Sequence, residues 1–220
     1  MTAPAPSPAR LSRAERGIGG RRDPLAPNGM VRFLAKPAAF LAANWAAILG
    51  LLTVVGIVPA LAGATRVTRD LEQYEDEAFT STLRHARRTL RRDGPASVLL
   101  LLVLGGIGLN GLVLPHLASD LRVFAVGLML PVVWGLVGVL SAYVAVAAQE
   151  ATAARSEVML RALALAVRRP AAALVAPALV ALLSPLWLLA PLTIACGFSI
   201  PPWILGRLWG GSRDGERPRA

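Results

Sequence analysis

The residues that could carry chemistry in this chain are few, and they are scattered rather than clustered. His85 and His116 lie on different segments, and neither has a cysteine or an acidic cluster beside it to complete a metal site. Cys196 is the only cysteine, so no disulfide can form within the chain. Serine, cysteine and histidine do not combine into a hydrolase-like set. We therefore expect no metal, no cofactor and no enzymatic activity.

One glycine motif has the letters of a nucleotide site but the setting of a helix contact. Residues Gly106 to Gly111 match G-x-G-x-x-G, which binds a pyrophosphate only where a strand turns into a helix. Here the motif lies inside an apolar run, where small residues let neighbouring helices approach closely. We predict this packing role for the motif and also for Gly135, Gly138 and Ala142.

Polar side chains inside the apolar runs are the remaining candidates. None of them is a carboxylate, a lysine or an arginine, which argues against an ion-coupled transporter or a proton relay. They are Asn44, Asn110, Ser141, Tyr143, Ser184 and Thr193. We predict that Asn44, Asn110 and Tyr143 make polar contacts between helices.

The elements that must position these groups are long apolar stretches separated by arginine-rich segments. Apolar residues make up 55% of the chain and charged residues only 16%, whereas a soluble domain carries about 25% charged residues. A helix crosses the roughly 30 Å hydrocarbon core with about 20 apolar residues. The sequence therefore predicts an all-α, multi-pass transmembrane helical bundle of four or five spans, at about 38–62, 97–117, 122–148, 171–184 and 188–208.

Two amphipathic segments between the spans, at about 71–92 and 150–169, are predicted to be cytoplasmic interface helices. In the first, one apolar stripe is expected from Leu71, Tyr74, Phe79, Leu83, Ala86 and Leu90, and Gly94-Pro95 is read as its stop signal. This helix either lies on the membrane surface or docks a partner protein. Its candidate partner or lipid interface consists of Phe79, Arg84, Arg87, Arg88, Arg91 and Arg92.

The ends of the chain and its charge distribution bear on orientation. Residues 1–30 and 210–220 are rich in arginine, proline, alanine and glycine and are predicted to be disordered tails. The net charge of +10 is explained by arginines that face anionic lipid, so we expect membrane lipids and no nucleic acid as partners. The arginine-rich segments should be cytoplasmic. The basic N-terminal segment conflicts with a single crossing at 38–62, unless that region is a broken hairpin.

Residues 30 to about 115 resemble the YesL-like family of bacterial integral membrane proteins, a domain of unknown function. The resemblance lies in Arg32-Phe33 through Asn44-Trp45, Gly56 to Ala60, Arg66, Arg69, the following acidic patch, Phe79 and the basic helix that leads into Ser97. It implies a small helical protein of the bacterial plasma membrane, often encoded beside carbohydrate uptake and degradation genes, and it brings no catalytic residues.

Two functions are compatible with these features. The leading hypothesis is a non-enzymatic accessory component associated with carbohydrate uptake machinery, with ABC transporter permease subunits as possible partners. The alternative is a small-solute carrier or channel in its own right, with a path lined by Asn44, Asn110 and Tyr143.

Overall fold

A computed structural model describes residues 29–210, with side chains from residue 34 onward. The chain divides into two units at Leu34–Ala35, and all contacts given below lie within the second unit. The described part is all-helical. Its helices are α1 Gly29–Leu51, α2 Ile57–Arg69, α3 Leu71–Tyr74, α4 Ala78–Val113, α5 Ser119–Gln149, α6 Arg155–Arg168, α7 Pro170–Leu183, α8 Pro185–Leu188, α9 Ala190–Leu192 and α10 Ile200–Gly210.

Four helical stretches are long and apolar enough to cross a membrane. They are Leu34–Leu51, Ala78–His116, Ser119–Gln149 and Pro170–Leu188. The protein is thus a multi-pass membrane protein, as its composition predicts. The expected disordered tails fall almost entirely outside the described residues.

The first apolar region is a hairpin and not one continuous span, so the prediction of a single helix over 38–62 was wrong. Helix α1 ends at Leu51, a short 3-10 turn covers Val54–Gly56, and α2 runs back beside α1. A Cβ on Gly50 would lie 2.5 Å from the Ala60 Cβ, so the two helices touch where the chain reverses. Farther from the turn, Ala39 and Ala43 pack with Val67. This is the broken hairpin that the arginine pattern left open as the alternative to a single crossing.

Helix α2 is the centre of the bundle. Most of its residues are buried, and it packs against α4, α5 and α10. A Cβ on Gly63 would lie only 2.7 Å from the Thr82 carbonyl oxygen of α4. This glycine therefore permits a backbone-to-backbone approach that a larger residue would prevent.

Helix α4 is continuous for 36 residues, which corrects the prediction that Gly94-Pro95 ends one helix and begins another. Proline removes one intrahelical hydrogen bond, but tertiary contacts on both sides of it hold the helix together. Gly94 lies against Val55, and the Ser97 hydroxyl accepts a hydrogen bond from Val58 N (3.0 Å) and donates one to the Val55 carbonyl (2.8 Å). Most of the predicted interface helix 71–92 and of the predicted span 97–117 therefore belongs to one continuous helix, and the short helix α3 precedes it.

Helices α4 and α5 form the second hairpin. The segments around Asp93 in α4 and Tyr143 in α5 pack inside the bundle, whereas no residue within the described range 98–137 is buried. These outer halves consist mainly of leucine, valine and glycine, and lipid chains are the surroundings that suit such a surface.

The third hairpin combines α7 with α10. Helix α7 packs on α5, where a Cβ on Gly138 would lie 2.8 Å from the Ala173 carbonyl oxygen. The Arg169 guanidinium, at the start of α7, donates a hydrogen bond to the Trp209 carbonyl (3.0 Å) at the end of α10. The predicted span 188–208 is broken, since prolines divide it into α8, α9, a π-helical turn at Thr193–Gly197 and α10. Helix α6, the second amphipathic segment, buries Val158, Ala162 and Ala166.

The predicted helix-packing glycines divide into two groups. Gly138 and Ala142 are buried against neighbouring helices, as predicted. A Cβ on Gly106, Gly108, Gly111 or Gly135 would meet no atom within 4 Å, so within the described part of this chain they do not make the expected contacts. Besides Gly138, close approaches that the sequence reading did not identify occur at Gly50 against Ala60, at Gly63 against Thr82 and at Gly94 against Val55.

Candidate functional site

A buried ion pair lies where α4 and α5 cross. Arg92 contacts Asp93 through two hydrogen bonds, Nε to Oδ1 (2.7 Å) and Nη2 to Oδ2 (2.9 Å). The Asp93 side chain is 0% exposed and that of Arg92 is 10% exposed. Tyr143 of α5 is also buried and donates its hydroxyl hydrogen to Asp93 Oδ1 at 2.8 Å. Two helices are thus joined by a carboxylate that accepts hydrogen bonds from both a cation and a phenol.

Arg92 also caps the end of α5. Its guanidinium donates to the Glu150 carbonyl, and at 3.4 Å to the carbonyls of Ala147 and Ala153. The last carbonyls of a helix have no partner within the helix and carry its partial negative charge, so a cation there is stabilising. The ion pair therefore connects α4, the end of α5 and the segment that leads to α6.

The expectation that the bundle interior holds no carboxylate or arginine was wrong, because Asp93 is fully buried in it. The sequence reading placed Arg92 and Asp93 at the end of a separate surface helix. The available signal was a pair of adjacent opposite charges, Arg92 and Asp93, directly before Gly94-Pro95 and the apolar run that follows. Every buried side-chain oxygen and nitrogen of Arg92, Asp93 and Tyr143 has a hydrogen-bond partner. This arrangement is typical of a cluster that stabilises helix packing.

The predicted apolar stripe forms only in part. Ala86 is buried, and Leu71 and Tyr74 pack against a buried cluster, but Phe79 and Leu90 are each 37% exposed. The buried face of α4 also carries the polar side chains of Thr82, His85 and Thr89. The threonine hydroxyls are satisfied by carbonyls of their own helix. His85 Nε2 has no hydrogen-bond partner among residues 34–210. No group of three or more His, Cys, Asp and Glu within this range is placed to hold a metal ion.

The opposite face of α4 carries an exposed row of arginines, Arg84, Arg87, Arg88 and Arg91, which we call the arginine ridge. Arg84 lies 3.7 Å from Glu77. The other three have no carboxylate partner in the described part of the chain. Of the predicted interface residues, Phe79 flanks the ridge, and Arg92 does not belong to it because its side chain turns inward.

The three predicted polar contacts lie in separate places. Asn44 of α1 donates to the carbonyls of Thr193 (3.2 Å) and Ile194 (2.8 Å), and its Oδ1 accepts from Phe198 N (2.7 Å). Tyr143 binds Asp93 across helices. Asn110 instead donates to the Gly106 carbonyl of its own helix (2.8 Å). They do not line a common path.

An open cleft of about 850 Å³ lies between α1, the end of α2 and α10. Its charged side chains are Lys36, Arg69, Asp70, Glu72 and Arg207, and its apolar side chains include Phe40, Leu41, Ile200 and Trp203. Lys36 and Glu72 form an exposed ion pair at 2.8 Å. The hydrogen bond and the positive charge of Lys36 hold the pKa of the Glu72 carboxyl below its ordinary value. The cleft thus combines charged side chains of both signs with an apolar wall.

Comparison of the chain with protein-family models, with curated proteins and with solved structures found no match.

Proposed function

We propose that this protein is a non-enzymatic accessory component of bacterial plasma-membrane machinery, and that the arginine ridge is its docking surface. The observation that carries the proposal is the continuity of α4 from Ala78 to Val113. A helix that lies flat on a membrane would have to break before it enters the bilayer, and α4 has no break. The ridge therefore stands on the extension of a membrane span, where another protein can reach it.

The charge of the ridge supports an acidic protein surface as its partner. Arg87, Arg88 and Arg91 are exposed and have no carboxylate partner among the described residues, and the opposite side of this part of the helix is buried in the bundle. Arginine forms bidentate contacts with carboxylates and is favoured in protein interfaces. Asp93 and Tyr143 are occupied by their own internal hydrogen bonds, which favours a structural rather than a catalytic use of the bundle's polar groups.

The partner is proposed from the resemblance of residues 30 to about 115 to the YesL-like family. That resemblance supports a link to carbohydrate uptake, and the partners that we propose are the permease subunits of a carbohydrate ABC transporter. Positively charged segments are retained on the cytoplasmic side of a membrane. The ridge would therefore meet the cytoplasmic loops of the permeases.

The test is affinity purification of the tagged full-length chain from native membranes after mild crosslinking. We expect permease subunits of a carbohydrate ABC transporter to be recovered with the parent protein. The triple variant Arg87→Gln, Arg88→Gln, Arg91→Gln should lower this recovery by about tenfold, since each interfacial charge contributes to association. The matched control replaces Arg155, Arg161 and Arg168 of α6, which are also exposed, with glutamine.

Two results would contradict the proposal. Equal losses in the ridge variant and the α6 variant would indicate a general charge effect and not docking at the ridge. Recovery of the chain alone, together with solute flux through liposomes that contain only this protein, would make it a carrier.

A further inference from the structure

The cleft between α1, α2 and α10 separates its charges from its apolar wall. Along α1, Lys36 precedes Phe40 and Leu41, and along α10, Arg207 follows Ile200 and Trp203. The two helices run in opposite senses here, because Lys36 pairs with Glu72 just past α2 and Gly210 lies beside Arg69 at the end of α2. At 1.5 Å per residue, the backbone positions of the charged residues lie about 6–10 Å along the helices from those of the apolar residues. We call these two positions the charged level and the apolar level.

The charged level holds a cation that is positioned for an anion. The Arg207 guanidinium lies over the Trp203 ring, 4.5 Å from its centroid, and it has no carboxylate partner among the described residues. Stacking on an aromatic ring orients a guanidinium and leaves its N–H groups available at the edge. Arg69, Asp70 and Glu72 complete this level.

The apolar level is a preformed wall. Phe40 and Trp203 meet edge to face with ring centroids 6.4 Å apart, which braces α1 against α10. Leu41 is 43% exposed and lines the cleft together with Ile200 and Ala195. A ligand that suits both levels is amphipathic, with an anionic group such as a phosphate at one end and a hydrocarbon chain at the other.

We propose that this cleft binds one glycerophospholipid, with its phosphodiester at Arg207 and one acyl chain along Phe40, Leu41 and Trp203. Bound lipid contacts α1 and α10 at the same time and so joins the first hairpin to the third. This site is separate from the arginine ridge, and it does not depend on the accessory function proposed above.

The test measures lipid bound to the purified full-length protein by native mass spectrometry, with phosphatidylglycerol titrated into detergent. We expect one tightly bound lipid per chain. Arg207→Gln should weaken binding by about tenfold, the loss of one charge-assisted hydrogen-bond pair. Leu41→Trp should weaken it by filling the apolar level without changing any charge. Arg87→Gln, an equal charge change outside the cleft, should leave binding unchanged.

Three probes identify what the cleft recognises. Phosphatidylglycerol should bind, whereas diacylglycerol, which lacks the phosphate, and glycerol phosphate, which lacks the chains, should not compete with it. Competition by either one at similar concentration would overturn the assignment. So would equal weakening by Arg207→Gln and Arg87→Gln, because lipid would then follow overall charge and not the cleft.

Discussion

Replacing Asp93 with asparagine tests whether the buried ion pair holds the bundle together. The variant keeps the shape of the side chain but removes the charge that pairs with Arg92, whose side chain is only 10% exposed. Removing one partner of a buried pair costs about 3–5 kcal/mol. Because Arg92 keeps its contacts with the carbonyls at the end of α5, we expect the lower end, about 3 kcal/mol of unfolding free energy.

Tyr143→Phe tests the second half of the same cluster. It removes one hydrogen bond to a charged acceptor, which lowers the unfolding free energy by about 1.5–3 kcal/mol. Because both substitutions act on one carboxylate, the double variant should lose less than the two single losses added together, with a coupling of about 0.5–3 kcal/mol.

The assay is denaturant unfolding of the purified protein in detergent, followed by tryptophan fluorescence and circular dichroism. Arg161→Gln is the control, since it breaks exposed ion pairs with Glu150 and Glu157 that should contribute less than about 1 kcal/mol. If the unfolding free energies of Asp93→Asn and Tyr143→Phe both lie within about 0.5 kcal/mol of the parent value, the cluster does not stabilise the bundle as we describe.

Two further variants probe the hairpins with the same unfolding assay. Gly63→Val forces apart the backbones of α2 and α4 and should lower the unfolding free energy by at least about 1–3 kcal/mol. The control Gly106→Ala places its methyl group in open space and should not destabilise the protein. Equal losses of unfolding free energy in both variants would refute the packing of α2 on α4. Asn44→Ala removes three hydrogen bonds to the turn before α10 and should increase the rate of proteolysis in that turn. The control Asn110→Ala removes one hydrogen bond within a single helix and should leave this rate unchanged. An unchanged rate in both variants would show that Asn44 does not hold the turn.

The membrane class of the protein could be predicted from sequence because length and apolarity are local properties. A run such as 123–148 is identified as a span from its own residues, without knowledge of the helices that it contacts. The reversal after Leu51 could not be predicted in the same way, since the segment from Gly50 to Gly56 is as apolar as its surroundings. Its turn depends on how closely Gly50 and Ala60 approach, and that contact is visible only in three dimensions.

The buried cluster shows a different limit of sequence reasoning. Gly94-Pro95 is a sound stop signal by local propensity, and it led to the assignment of Asp93 to a surface helix. Tertiary packing of Gly94 and Ser97 overrides that propensity. The partner of Asp93 is Tyr143, which lies on the following helix, and nothing in the spacing of the two residues indicates the pair.

The hairpin construction has a consequence for how the newly made chain enters the bilayer. The turn at 52–56 and the stretch 184–199 contain no charged residue. The turn between α4 and α5 contains His116 as its one ionisable group, and Asp120 and Arg122 follow in the first turn of α5. Insertion therefore requires no large hydrophilic segment to be translocated. On the proposed orientation, in which the arginine-bearing stretches are cytoplasmic, each helical pair would enter the bilayer and return to the side where the ribosome synthesised it.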